Sequence, residues 1–220
     1  MKSYRALALL LTYPEAEWLA HLDEVEALLI EEADRNGGAA PHLHELFALL
    51  REQTLLELQQ NYVATFDQNP SHSLHLFEHI HGESRDRGQA MVDLIEEYRK
   101  HSLEIDASEL PDYVPLFLEY LSILPAEESR ALLGEAINVL ALIGRKLHTN
   151  GSPYHTVFDV LQILSPVAAQ ALPEPPVRDM DEAMERFGPA IDGREPLLTP
   201  RVAYAEMPKS RRQATTAQGL

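Results

Sequence analysis

The chain has 220 residues, 45% hydrophobic and 24% charged, a balance that suits one core-bearing domain and excludes a wholly disordered chain. Its formal net charge is -17, and residues 173–220 hold 7 Lys+Arg against 8 Asp+Glu, leaving 11 against 27 in residues 1–172, so the acidity belongs to the body. That field repels phosphate backbones and anionic lipid, which argues against nucleic acid and direct membrane binding, while a basic peptide would be steered toward it.

The absence of cysteine removes disulfides, thiolate metal sites and a cysteine nucleophile together, and suits a reducing compartment. The apolar run from Ala6 to Leu11 is too brief for a secretory segment, and nothing approaches the ~20 apolar residues of a membrane span. The expectation is a soluble cytoplasmic protein.

In chain order, Tyr4, Leu7, Leu10 and Leu11 recur at helical spacing until Pro14. A second helix is expected from about Glu15 to Arg35, stopped by Asn36-Gly37-Gly38. After Pro41 a longer helix carries Leu43, Leu46, Phe47, Leu50, Leu55, Leu58 and Tyr62, and ends at Phe66-Asp67 because Asn69-Pro70-Ser71 is turn chemistry. A short helix from Leu74 to Ile80 is closed by Gly82.

The next helix, capped by Ser84 and reaching about Lys100, turns Met91, Leu94, Ile95 and Tyr98 inward, with Arg87 and Gly88 on the same side. Glycine is costly inside a helix, so Gly88 implies a backbone passing close by, where leucine would disrupt packing. Arg87 then faces the interior edge and needs a carboxylate. Asp112 reads as the N-cap of YVPLFLEYLSIL, a segment apolar on both sides and therefore buried on both. Glu119, its single charge, either reaches a surface groove or pairs with Arg87 or Arg85.

Pro125 opens a helix to about His148, and Asn150-Gly151 followed by Ser152-Pro153 turns into the last one, with Val157, Val160, Leu161 and Leu164. From Pro173 onward periodicity fades, and seven of the 15 prolines lie there. The reading is all-α: residues 1–172 as a single-domain bundle of about seven helices, and residues 173–220 as a mostly disordered tail with a transient helix near 181–187.

Chemically demanding residues collect in the middle of the chain. His72, His75, His79 and His81 lie beside Glu78, and a metal-dependent helical enzyme built on that cluster is the competing function. A di-iron bundle would need a second Glu-x-x-His unit, and none exists; Walker, GxGxxG and nucleophile-elbow motifs are also missing. A binding module fits better. Tyr62, Phe66, Leu76, Phe77, Tyr113, Phe117 and Tyr120 would line a groove between helices, with Glu78, Asp112 and Glu119 at its rim, accepting an amphipathic basic helix. The alternative is that these aromatics, lying in helical register, are core.

YVATFD (62–67), SLHLFEHIHGESRDRGQAMVDL (73–94) and ELPDYVPLFLEYLS (109–122) resemble the NarJ-type chaperones that assist molybdenum-cofactor insertion into respiratory nitrate reductase. The resemblance covers roughly residues 1–172. It implies a cytoplasmic, all-helical, non-enzymatic protein with no cofactor of its own. Such a protein binds the N-terminal segment of the immature catalytic α subunit while molybdenum cofactor and an iron-sulfur cluster are inserted, with cofactor-biosynthesis proteins as further partners, and is absent from the finished enzyme. The client-binding candidates are Tyr62, Phe66, Asp67, His75, Leu76, Phe77, Glu78, His81, Arg85, Arg87, Asp112, Tyr113, Leu116 and Glu119, which match the family's characteristic positions, together with Tyr120 from the groove reading.

Overall fold

The computed structural model describes residues 2–36, 40–81, 85–101, 103–104 and 109–172. Among them are ten α-helices: α1 (Lys2–Leu10), α2 (Ala16–Leu19), α3 (Leu22–Asn36), α4 (His44–Glu52), α5 (Leu55–Tyr62), α6 (Glu78–His81), α7 (Arg85–Lys100), α8 (Val114–Ile123), α9 (Ala126–Thr149) and α10 (His155–Leu164). No strand occurs among the described residues; His75 and Tyr113 alone form an isolated antiparallel bridge. The all-α expectation holds. The tail from Pro173, with the helix expected near 181–187, lies outside the described residues.

The most apolar segment becomes the centre. Val114, Leu118 and Leu121 of α8 are fully buried and Phe117 and Tyr120 nearly so, because α8 packs against α1 on one flank and α9 on another. Only Glu119 and Ile123 are well exposed on it, as two-sided apolarity predicts. Tyr4, Leu7, Leu10 and Leu11 fill the α1 side of the same core.

Helices α9 and α10 form a hairpin through Asn150-Gly151. Gly151 takes φ 69°, a left-handed conformation that glycine adopts without penalty. Inside the hairpin Gly144 lies against Phe158 so closely that a Cβ there would sit 2.7 Å from the Phe158 Cβ.

There are more helices than expected because two long segments break. The second helix divides at Ala20-His21 into α2 and α3. The third divides at Gln53, where Thr54 accepts from the Glu57 amide (3.4 Å) and the Glu57 carboxylate accepts from the Thr54 amide (2.8 Å). That capping box is written in the sequence as Thr54-x-x-Glu57, yet the apolar periodicity running across it hides the break.

Two expectations are corrected. Helix α6 starts at Glu78, not Leu74, because residues 74–77 are held in an extended pairing with 112–114. Gly88 is exposed and an added Cβ would meet nothing within 4 Å, so among the described residues no backbone packs against it and the close approach expected there is not found. Gly88→Ala should therefore raise the unfolding free energy by about 0.5–1 kcal/mol, the helix-propensity difference, read from the urea midpoint at constant slope. A loss would mean that the glycine has a contact role.

Candidate functional site

The chain folds its middle by satisfying backbone groups that helices leave open. Tyr62 ends α5, and the following turn, Val63–Asp67, is wound one residue wider, with the Gln68 amide donating to the Val63 carbonyl at 3.0 Å. The Thr65 carbonyl in this turn accepts from His72 Nδ1 at 3.0 Å. His72 Nε2 is then free to accept from the Asn150 amide at 2.6 Å, tying the turn to the end of α9. Burial pushes the His72 pKa down, which suits the neutral ring these two bonds require.

Residues 74–77 and 112–114 are joined by four hydrogen bonds. The Leu76 amide donates to the Asp112 carbonyl (3.0 Å) and the Val114 amide to the Leu74 carbonyl (2.8 Å). The Asp112 carboxylate accepts from the Phe77 amide (3.0 Å) and from His75 Nδ1 (3.2 Å). Asp112 has no solvent exposure, so it is neither the N-cap of α8 nor part of a rim. Tyr113 occupies the cap position, and the carboxylate serves the opposite segment instead. Tyr98 closes the corner by donating its hydroxyl to the Pro111 carbonyl at 2.8 Å.

The remaining candidates divide into interior and surface. Tyr62, Phe66, Leu76 and Tyr120 are buried, and so is Phe117. Tyr62 donates to the Leu11 carbonyl at 2.9 Å and its ring meets Phe66, Tyr154 and Tyr13. Tyr62 and Phe66 make core rather than a continuous groove, turned toward Leu11 and Tyr154, whereas the Tyr120 ring packs on Tyr98. His75, Phe77, Glu78, Arg87, Tyr113 and Leu116 are half-buried, while Asp67 and Glu119 are exposed. Arg87 finds its carboxylate in Glu78 at 3.0 Å, joining α7 to α6. The side chains of His81 and Arg85 lie outside the described residues.

The three cluster histidines with described side chains do not converge. His72 is spent on Thr65 and Asn150, His75 on Asp112, and His79 Nε2 on the Ser73 carbonyl at 2.8 Å. Among the described residues no three His, Asp or Glu side chains come together as a metal site. His75 lies on the extended segment ahead of α6, so it and His79 do not share one helix face.

The His75 hydrogen bond to Asp112 raises its pKa above the ordinary imidazole value. A folded-state pKa above the unfolded ~6.5 gives stability that is complete below that value and is lost as pH rises through the folded one. The stability gap between the parent and His75→Gln should accordingly be wider at pH 6 than at pH 8 in urea titrations. An equal gap would deny the charged pair.

Glu119 resolves toward the surface. Beside it lies a crevice of about 170 Å³ between α1, α7 and α8, lined by Arg5, Tyr98, Leu103, Glu104, Leu116, Glu119, Tyr120, Ser122 and Ile123. Tyr98 and Tyr120, their ring centroids 4.6 Å apart, form its floor. Burial pushes the Tyr120 hydroxyl up to about 12, so the floor carries no charge. Arg5, Leu103 and Glu104 lie in no motif, and Ser122 and Ile123 close the α8 segment without a signal of their own. Tyr98 was legible as the last residue of the inward stripe of α7.

The profile of the nitrate reductase delta subunit family matches residues 31–159 of this chain. The nitrate reductase molybdenum cofactor assembly chaperone NarW of Escherichia coli K12 is 42% identical over 161 residues, 73% of this chain and 67% of the relative. NarJ of the same strain is 42% identical over 163 residues, 72% and 67% of the two chains. NarJ of Bacillus subtilis 168 is 30% identical over 160 residues, 72% and 85%. A redox enzyme maturation protein from Archaeoglobus fulgidus shares the fold, with a TM-score of 0.51 at 21% identity over 73% of this chain and 91% of that one.

Proposed function

Since this chain belongs to the nitrate reductase delta subunit family, the NarJ-type maturation chaperones, which are not catalytic enzymes, we propose that its client is the immature catalytic α subunit of a respiratory nitrate reductase. It holds the N-terminal segment of that subunit while molybdenum cofactor and an iron-sulfur cluster are inserted, and leaves before the enzyme is complete. Cofactor-biosynthesis proteins would meet the complex at that stage, in the cytoplasm. No helix among the described residues is long and apolar enough to cross a membrane.

The observation that supports this reading is the crevice beside Glu119. Its floor of Tyr98, Leu116 and Tyr120 would take apolar side chains, and Glu104 and Glu119, offset in part by Arg5, would select basic ones. The neighbouring surface of His75, Phe77, Glu78, Arg87 and Tyr113 would carry the rest of the contact, while Tyr62, Phe66, Leu76 and Asp112 support it from beneath.

Calorimetry with a peptide copying the α subunit's N-terminus tests this. Binding should be measurable and should weaken severalfold between about 0.05 and 0.5 M salt, as the screening length contracts. Glu119→Lys should weaken it at low salt. No heat at any salt concentration would refute the reading.

A further inference from the structure

The crevice has a candidate occupant within the chain itself. Residues 173–198 hold three Arg against seven Asp+Glu, but residues 199–213, TPRVAYAEMPKSRRQ, reverse the sign with Arg201, Lys209, Arg211 and Arg212 against Glu206 alone. Val202, Tyr204 and Met207 supply apolar side chains in the same segment. This is the composition the crevice would select: apolar groups for the Leu116, Tyr120 and Ile123 surface and cations for Glu104 and Glu119, which outnumber the one cation on the lining, Arg5. Ser122 continues the crevice into a second, more polar depression of about 690 Å³ lined by Lys2, Glu24, Ala27, Leu28, Glu31 and Glu32, which extends the acidic track.

We infer that residues 199–213 seat in the crevice between α1, α7 and α8 as an internal occupant that an incoming client displaces. Reach permits it. The described chain ends at Leu172, and the Gln170 amide is anchored on Asn138 of α9 at 2.7 Å. The 26 residues from 173 to 198 span about 40 Å if helical and about 90 Å if extended, against a body about 40 Å across.

Charge decides which occupant is favoured. A second copy of a chain at -17 is repelled, whereas a tethered cationic segment acts at millimolar effective concentration. The displacement half of the inference rests on the proposed client reading; the seating half does not.

The test uses the full chain, in which Lys209 is the single lysine beyond residue 172 and one of four in all. Zero-length carbodiimide coupling at high dilution joins lysine amines to touching carboxylates, and mixing isotopically labelled with unlabelled chains separates links within a chain from links between chains. The expected result is intrachain coupling of Lys209 to Glu104, Glu119 or Glu24, reduced severalfold by 1 M salt. Coupling spread evenly over surface carboxylates, coupling only between chains, or none would overturn the seating.

A second arm measures the α-subunit peptide on the full chain carrying Lys209→Glu, Arg211→Glu and Arg212→Glu. About tenfold tighter binding than the parent is expected, and unchanged affinity would overturn the displacement. Selective Lys209 coupling with no peptide binding to either chain would instead overturn the client reading and leave the seating standing.

Discussion

Replacing Asp112 with alanine should lower the unfolding free energy by about 3–5 kcal/mol, because two donors, the Phe77 amide and His75 Nδ1, lose their acceptor at a buried site. The carboxylate is fully buried and accepts from the Phe77 amide and from His75. Its loss strands a backbone donor and breaks the link between residues 74–77 and the start of α8. Asp112→Asn keeps one acceptor in the same volume and should cost less, about 1–2 kcal/mol. Urea unfolding at constant slope measures both. A loss below about 1 kcal/mol for the alanine variant would mean that the corner is held by packing alone.

Substitution at Gly144 should produce the other large effect. An alanine Cβ would lie 2.7 Å from the Phe158 Cβ, a contact that cannot be relieved by rotating a side chain. Helices α9 and α10 must separate, and overpacking of this kind costs about 1–3 kcal/mol, more than the helix propensity that alanine returns. Gly144→Leu should cost more again. Neutral behaviour of Gly144→Ala beside a stabilising Gly88→Ala would place the close approach elsewhere in the fold.

These two positions show what could be read from the chain. The burial of α8 on two sides follows from its unbroken apolar run, and the α9–α10 turn follows from Asn150-Gly151, because both signals are local. Gly144 and Gly88 look alike in a helical pattern. Only the neighbouring helix separates them: Phe158 faces the first and open space the second.

The pairing of 74–77 with 112–114 bridges more than thirty residues and leaves no periodic trace, so a short helix was expected where an extended segment lies. The aromatics of the candidate groove were equally ambiguous, since Tyr62, Phe66 and Tyr120 sit in register for either a groove or a core; Tyr62 and Phe66 pack into the core, while the largely buried Tyr120 also lines the crevice. Arg87 was legible because a half-buried guanidinium demands a carboxylate, and Glu78 supplies it.

The role of the surface is tested most directly by cross-linking the full chain to the immature α subunit and mapping the linked residues. The expected links fall on Leu116, Glu119 and Ile123 around the crevice and on Phe77, Glu78 and Tyr113 beside it, and they disappear when the client's N-terminal segment is removed. Links confined to the α4–α5 face, or unaffected by that removal, would contradict recognition through the crevice.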